Sequence, residues 1–286
     1  MVARSVPAGG RVLGTNLLAR EDSTHPEVER LREALRDDLN SADAWLFYAV
    51  ALSDHQWRNR DAADAVGMAI ALSPFTAEYH FFRGYCHQKL CLLAEAAADL
   101  EMAAKLDQNH QNALYYLGQT YFYMGEYERA LIALERLTHI SPPEAEWAAI
   151  CNWLYLTLRR LGRDDEARRW SGRVGKDATP AVATGTLGNT WTDCQYMLAC
   201  QAYNGFISPD EAIHRAERYG ALNLWYVTMY MAMLCDLDGH LEKAVALYER
   251  TIDTFAGTEI TKMRTIILPR LKALTGKTYS EKSLEV

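Results

Sequence analysis

The chain has 286 residues, 49% of them hydrophobic, so it is long enough to bury a large core. Its formal charge of −7 and pI near 5.7 leave no surplus of cations for phosphates, which disfavours nucleic acid or an anionic membrane as a partner of the whole surface. No apolar run approaches the roughly 20 residues that a membrane span needs, and we expect a cytoplasmic protein.

Residues 1–24 predict a flexible N-terminal arm. Three arginines, Arg4, Arg11 and Arg20, precede the first acid, Glu21, which is also a feature of organelle presequences. Several glycines and a proline interrupt this stretch, and they disfavour the amphipathic helix that a presequence requires.

Residues 25–41 predict a helix that covers the first repeat. Thr24 and Glu27 have the spacing of a capping box, in which a side chain accepts from a backbone N–H three residues on. The apolar residues that follow recur at helical spacing: Val28, Leu31, Leu35 and Leu39.

Residues 113–137, "ALYYLGQTYFYMGEYERALIALERL", predict two helices joined by a tight turn. Apolar residues recur at helical spacing on both sides of "MGEY". Gly118 and Ala130 are small, as the close approach of two helices requires, and Gly125 suits a left-handed turn.

The same pattern repeats along the chain. Gly84 and Ala96 lie 34 residues before Gly118 and Ala130. Further copies follow from "ADAWLFYAVAL" with "AADAVGMAIALSP", from Gly162 with Ala167, from "SPDEAIHRAERYG" with a capping box at Ser208 and Glu211, and from Gly239 with Ala244. About six hairpins are predicted, the fifth with the weakest pattern.

These residues resemble the tetratricopeptide repeat family, whose period is about 34 residues. The matches in the best copy are Leu117, Gly118, Tyr121, Gly125, Tyr127, Ala130, Leu134 and Pro142. The resemblance implies an all-α, right-handed helical-repeat solenoid with capping helices. In the second copy His80 and Arg83 replace larger apolar residues, and Cys91 replaces the turn glycine.

The predicted organisation has seven segments. They are the arm (1–24), an N-terminal capping helix (25–41), repeats one to four (42–176), a long connection (177–190), repeats five and six (191–258), a C-terminal capping helix (259–275) and a tail (276–286). At the long connection, either the stack bends or Thr179 and Pro180 begin an extended helix.

The resemblance places the first helix of each hairpin on an inner face that binds peptides. Residues at inner positions are Phe81, Tyr85, Gln88, Asn112, Tyr115, Gln119, Phe122, Tyr123, Asn152 and Arg159. Rigid rings among amides suit a binding groove, although aromatic stripes at helical spacing also pack in cores. Tyr121 is expected in the core.

The function that this implies is an adaptor or scaffold that binds another protein or a peptide segment, with neither nucleic acid nor membrane as partner. Leu46, Val50, Phe81, Tyr85, Tyr115 and Gln119 replace the lysines and asparagines with which some family members clamp a carboxylate. An enzyme on the same scaffold is the alternative, with His80, His87, Tyr85 or Asp236 as proton-transfer groups.

No catalytic motif or cofactor is predicted. His80, His87 and Cys91 share one helical side, but a fourth metal ligand in phase is lacking, so no metal site is predicted. The six cysteines lack the two-residue spacing of zinc and redox motifs, and we expect reduced thiols in the core.

Overall fold

The computed structural model describes residues 18, 25–56, 58–140, 146–180, 182–184, 190–192, 194–254 and 260–279. The chain divides into two compact units, residues 1–120 and 121–286. The predicted all-α class is confirmed, because helix hairpins follow one another through both units. The segment boundaries drawn from the sequence stay predictions.

The first unit is built from consecutive helices. They are α1 (Pro26–Asp37), α2 (Ala42–Gln56), α3 (Asn59–Leu72), α4 (Ala77–Lys89), α5 (Leu93–Leu106) and α6 (Gln111–Met124), the last of which continues into the second unit. Helices α2 and α3 form the first hairpin, and α4 and α5 form the second.

Helix α1 packs on α2, as the N-terminal cap was predicted to do. Val28 and Leu35 are buried, because the apolar stripe of α1 faces the first hairpin. Helix α1 begins at Pro26 with His25 at the N-cap and without a side-chain cap bond, so the capping box predicted for Thr24 and Glu27 is out of register by one residue. Thr24 itself lies outside the described residues. The indole N–H of Trp45 donates to the carbonyl of Leu39 at 3.0 Å and ties the connection between the helices to α2.

Gly84 lies where α4 approaches α5 most closely. A Cβ atom at this position would lie 2.8 Å from Cγ of Leu100 and 3.1 Å from the carbonyl oxygen of Ala96. The predicted contact between small residues of one hairpin is therefore confirmed for Gly84 and Ala96. Only glycine fits without a shift of the neighbouring helix.

The turns of the hairpins use left-handed backbone. Gly125, Gly162 and Gly239 have φ values of 77°, 72° and 80°, which confirms the predicted role of Gly125. Cys91 holds the same kind of position in the second hairpin with φ of 59°. An L-residue in this region is strained, because its Cβ lies too close to the following carbonyl oxygen.

The second unit continues with hairpins and one short strand pair. Its elements after α6 are α7 (Tyr127–Thr138), α8 (Trp147–Arg160), α9 (Asp164–Ser171), β1 (Val182–Thr184), β2 (Thr190–Thr192), α10 (Cys194–Tyr203), α11 (Pro209–Ala216), α12 (Ala221–Leu237), α13 (Leu241–Asp253), α14 (Ile260–Lys262) and α15 (Leu268–Thr275). The fifth hairpin, α10 with α11, is present. Ser208 Oγ caps α11 by accepting from the backbone N–H of Glu211 at 3.1 Å, as predicted.

The long connection does not contain the alternative extended helix. No helix begins at Thr179 or Pro180; instead β1 and β2 pair antiparallel, with Val182 opposite Thr192 and Thr184 opposite Thr190. The physical reason is composition, because β-branched residues favour extended backbone.

The C-terminal cap is a continuous helical segment with a π-helical turn inside it. Residues Met263–Ile267 form a π-helical turn between α14 and α15, and the N–H of Leu268 donates to the carbonyl of Met263. Pro269 lacks a backbone N–H and cannot continue a regular α-helical ladder, which accounts for the altered bonding before it. Helix α15 packs on α13.

Candidate functional site

Three half-buried tyrosines lie together on α4 and α6. We call Tyr85, Tyr115 and Tyr116 the tyrosine face. The rings of Tyr85 and Tyr116 meet edge to face with centroids 5.1 Å apart, and Tyr115 meets Tyr116 in the same way at 5.4 Å. Phe81 lies 5.9 Å from Tyr116 and is buried. The first unit therefore presents a continuous aromatic surface over two helices.

Polar groups border the tyrosine face. The Lys89 ammonium lies 5.4 Å from the centre of the Tyr85 ring, within cation–π range. His110 packs 5.0 Å from Phe81; its Nδ1 accepts from the N–H of Ala113, so Nε2 donates to Glu78 at 3.1 Å. Asn112 is half-buried one turn before Tyr116. The surface combines rings with a cation and an amide.

Gln88 joins α4 to α6 through hydrogen bonds. Its amide nitrogen donates to the carbonyl of Tyr116 at 3.2 Å and to Oγ1 of Thr120 at 2.8 Å. The hydroxyl of Thr120 donates in turn to the same carbonyl at 2.7 Å. Gln88 is buried, so it holds the backbone of Tyr116 in place and does not face solvent.

The expectation of an open inner face is corrected for most of the predicted residues. Six of the ten are buried: Phe81, Gln88, Gln119, Phe122, Tyr123 and Asn152. In the second unit Trp153 lies 5.4 Å from Phe122 and 5.8 Å from Tyr123, so the next repeat covers these rings. Tyr85, Asn112 and Tyr115 remain accessible in part, and their role in binding stays a prediction.

Asn152 and Arg159 are held by contacts within the second unit. The hydroxyl of Tyr203 donates to Oδ1 of Asn152 at 2.8 Å. Arg159 donates to the hydroxyl of Tyr155 at 2.6 Å and to Asp238 at 2.7 Å. Both side chains therefore join neighbouring helices, and neither projects from an inner face.

Sequence reasoning missed Tyr116, which stands beside Tyr115. In a regular helix, adjacent residues point about 100° apart, so only one of the pair was assigned to the inner face. Two ring contacts and the hydrogen bond to its carbonyl now make Tyr116 the centre of the cluster. The adjacent tyrosines Tyr115 and Tyr116 were the feature of the sequence that could have indicated this role.

Three of the four proton-transfer groups of the alternative enzyme hypothesis, His80, His87 and Asp236, are engaged in polar contacts within the fold. His80 Nε2 donates to the carbonyl of Pro74 at 2.9 Å, and His87 Nδ1 lies 3.1 Å from Asp99. Asp236 accepts two bonds from Arg270, at 2.8 and 2.6 Å. Among the described residues no group of three or more His, Cys, Asp or Glu side chains is arranged to hold a metal ion.

Asp99 is the centre of a buried charge cluster between α4 and α5. Arg83 binds it with two hydrogen bonds, at 2.8 and 2.6 Å. Burial raises the pKa of this carboxyl, but hydrogen bonds from His87 and Arg83 together outweigh burial, so the pKa lies below its ordinary value. The cluster stabilises the hairpin that carries Tyr85.

A groove of about 900 Å³ lies in the second unit, between residues 205–209 and residues 238–243. Phe206 and Leu241 line it and are 47% and 46% exposed. Lys243 and Asp210 form an ion pair of 2.7 Å at its edge.

In the described ranges every helix is too short or too polar to cross a bilayer.

Comparison with known proteins identifies the class. A sequence model of the tetratricopeptide repeat matches residues 93–154, from α5 into α8. The helix hairpins and left-handed turn glycines described above extend the same design beyond this range. Residues 93–154 are therefore similar to the tetratricopeptide repeat, and the rest of the described chain shares its hairpin fold.

Particular relatives are distant. The chain is 24% identical over 162 residues to DnaJ homolog subfamily C member 3 of Gallus gallus, covering 56% of this chain and 31% of that protein. It therefore spans about a third of that relative. A tetratricopeptide repeat protein from Parabacteroides merdae shares the fold, with 14% identity, a TM-score of 0.53, and 87% and 91% of the two chains covered. The structure of MamA is 23% identical with a TM-score of 0.46, over 50% of this chain and 81% of MamA.

Proposed function

We propose that this chain is a protein-interaction scaffold, and that its tyrosine face binds a segment of another protein. The observation that carries the proposal is the run of half-buried rings of Tyr85, Tyr115 and Tyr116 over two adjacent helices. Partly exposed aromatic clusters of this kind supply much of the affinity in protein interfaces.

The tyrosine face is not needed to fill the core of its own helix. On α6 the residues Ala113, Leu114 and Leu117 are buried and pack the hairpin. Tyr115 and Tyr116 stand between them in sequence, and each residue is only half-buried. Their retained exposure favours binding over packing.

The chemistry suits an extended or helical segment with apolar side chains. Tyrosine has few rotatable bonds, so a ring contributes contact area at a small cost in side-chain entropy. Asn112 can both donate to and accept from a peptide backbone. Gln88 keeps the backbone of Tyr116 fixed, so the surface is formed before the partner arrives.

A peptide-display experiment tests this function. Short random peptides are selected against the full chain, and their dissociation constants are measured with wild type, Tyr85→Ala and Tyr115→Ala. Each substitution should weaken binding about tenfold, the size typical of an aromatic anchor. Circular dichroism checks that the helices remain.

Phe75→Ala is the matched control, because Phe75 is a ring of the same unit that is 79% exposed outside the tyrosine face. Binding should not change in this variant. Peptides that bind Tyr85→Ala and Tyr115→Ala as well as wild type, or that depend on Phe75, would place the binding surface elsewhere.

A further inference from the structure

The turns of the fifth and sixth hairpins line the groove of the second unit from its two sides. Gly205 follows α10 with φ of 69°, and Gly239 follows α12 with φ of 80°. In both turns the N–H of the residue after the glycine donates to the carbonyl five residues back, at 3.0 and 2.8 Å. The two turns therefore share one backbone design, and their side chains can be compared position by position.

The ring of Phe206 is not required by its turn. Directly after the turn glycine, the third, fourth and sixth hairpins have Glu126, Arg163 and His240. A polar residue therefore suits this position equally well. Phe206 is nevertheless an exposed ring that lines the groove, and the exposed Leu241 lines it from the other turn. Large apolar side chains left exposed around a concavity favour a binding site.

The groove is formed before a partner arrives. Lys243 of α13 and Asp210 of α11 pair at 2.7 Å, so an ion pair joins the two hairpins at the edge of the groove. Leu234 and Cys235 are buried residues of α12 that also line it, which adds apolar surface. A ligand that enters a preformed apolar groove avoids the cost of ordering the protein.

The accessible charge at the groove is mainly negative. Asp210, Asp238 and Glu242 are exposed carboxylates, whereas Lys243 is half-buried. Arg159 pairs with Asp238 at 2.7 Å, but its own side chain is only 8% exposed, so it presents little positive charge to the solvent. Carboxylates therefore outnumber accessible cations here, and the groove favours a cationic ligand.

We propose that this groove binds a segment of another protein in which a large aliphatic side chain stands next to a lysine or an arginine. The aliphatic side chain contacts Phe206 and Leu241, and the cation lies beside the carboxylates of Glu242 and Asp238. The site uses none of the residues of the tyrosine face, so it does not depend on the function proposed above.

The experiment titrates the tetrapeptide N-acetyl-Ala-Leu-Lys-Ala amide into the full-length chain with ¹³C-labelled isoleucine methyl groups. Ile207 lines the groove, so its methyl resonance, assigned with Ile207→Val, should shift on binding. N-acetyl-Ala-Leu-Glu-Ala amide tests the charge, and N-acetyl-Ala-Ser-Lys-Ala amide tests the aliphatic side chain. Each of these two peptides should bind about three- to tenfold more weakly.

Two variants of the chain locate the contacts. Phe206→Ser should weaken binding of the first peptide by about fivefold or more, and Glu242→Gln by about two- to fivefold. The matched controls are Ile132→Ser, at an exposed aliphatic residue of α7, and Asp165→Asn, at an exposed carboxylate of α9. Both controls should bind as wild type does. Thermal denaturation checks that the serine at position 206 leaves the fold intact.

Four results would overturn the proposal. The Ile207 resonance could stay unchanged at the highest peptide concentration. The glutamate peptide could bind as tightly as the lysine peptide, which would remove the selectivity for a cation. Phe206→Ser and Glu242→Gln could bind as tightly as their controls. Analytical ultracentrifugation could show a dimer that is lost in Phe206→Ser, which would assign the groove to a second copy of the chain.

Discussion

Cys91 departs from the repeat pattern, which has glycine at this turn, and the departure costs conformational free energy. The equivalent turns of the third, fourth and sixth hairpins use Gly125, Gly162 and Gly239, all with positive φ. Cys91 has φ of 59°, so the second hairpin has the left-handed turn without the residue that suits it.

Cys91→Gly should therefore stabilise the protein by about 1 kcal/mol, because relief of left-handed strain exceeds the added freedom of glycine in the unfolded chain. Urea denaturation measures the change. Cys91→Ala is the control, since alanine keeps the Cβ atom and the strain. A glycine variant no more stable than the alanine variant would contradict this explanation.

A second prediction at the scale of one residue concerns the contribution of the Asp99 carboxylate to stability. Asp99→Asn should cost about 2 kcal/mol at pH 7, less than a fully buried pair would lose, because Arg83 keeps 29% of its side-chain exposure. The depressed pKa means that the carboxylate stabilises the fold above its ordinary pKa and loses this effect as the pH falls.

The difference in stability between wild type and Asp99→Asn should accordingly narrow below about pH 4. Denaturant titrations between about pH 6 and pH 3 give the two curves. A gap that stays constant over this range would show that the charge of Asp99 does not stabilise the hairpin.

At the scale of the element, the packing of a hairpin depends on one missing side chain. Gly84→Ala should lower the free energy of unfolding by about 1–2 kcal/mol, because the new Cβ overlaps Leu100 and the backbone of Ala96. A Cβ atom added at Gly67 in α3 would have nothing within 4 Å, so Gly67→Ala should instead stabilise by about 0.5–1 kcal/mol. Thermal and chemical denaturation distinguish the two signs; stabilisation by both would refute the close approach.

The helices could be predicted because each hairpin carries its own periodic stripe and turn residue. The strand pair was not predicted, although Val182, Thr184, Thr190 and Thr192 favour extended backbone, because segments of three residues are too short to show an alternating pattern. The π-helical turn depends on how Pro269 is accommodated, and a helical pattern cannot show this.

The sequence could indicate only in part which of the predicted site residues are accessible. Tyr85, Asn112 and Tyr115 are half-buried, as inner-face positions on the first helices require, and their role in binding stays a prediction. Tyr123 was misjudged because one helix cannot reveal what the next repeat brings against it, and Trp153 covers that ring. Alanine at position 123 is now expected to weaken the fold rather than a binding surface.

In the whole molecule, a destabilising substitution in one hairpin should affect mainly that hairpin and its neighbours. In repeat proteins the free energy of unfolding is close to a sum of the stabilities of single repeats and of the interfaces between neighbouring repeats. The effect of a destabilising substitution therefore decreases with distance along the chain. Gly84→Ala should therefore raise amide hydrogen exchange in α4 and α5 while α12 and α13 keep their protection. Mass spectrometry of exchanged peptides reads both regions at once, and a uniform increase would instead show one cooperative unit.

The exposure of Cys91 has a practical consequence in the chemistry of labelling. All six cysteines are free; five are buried, and Cys91 alone is partly exposed. Burial also raises the pKa of the Cys86 and Cys235 thiols, which keeps them protonated and slow to react. A maleimide should thus modify one thiol in the native protein and all six once it unfolds, so the mass of the labelled chain counts folded and unfolded molecules inside a cell without an added reporter.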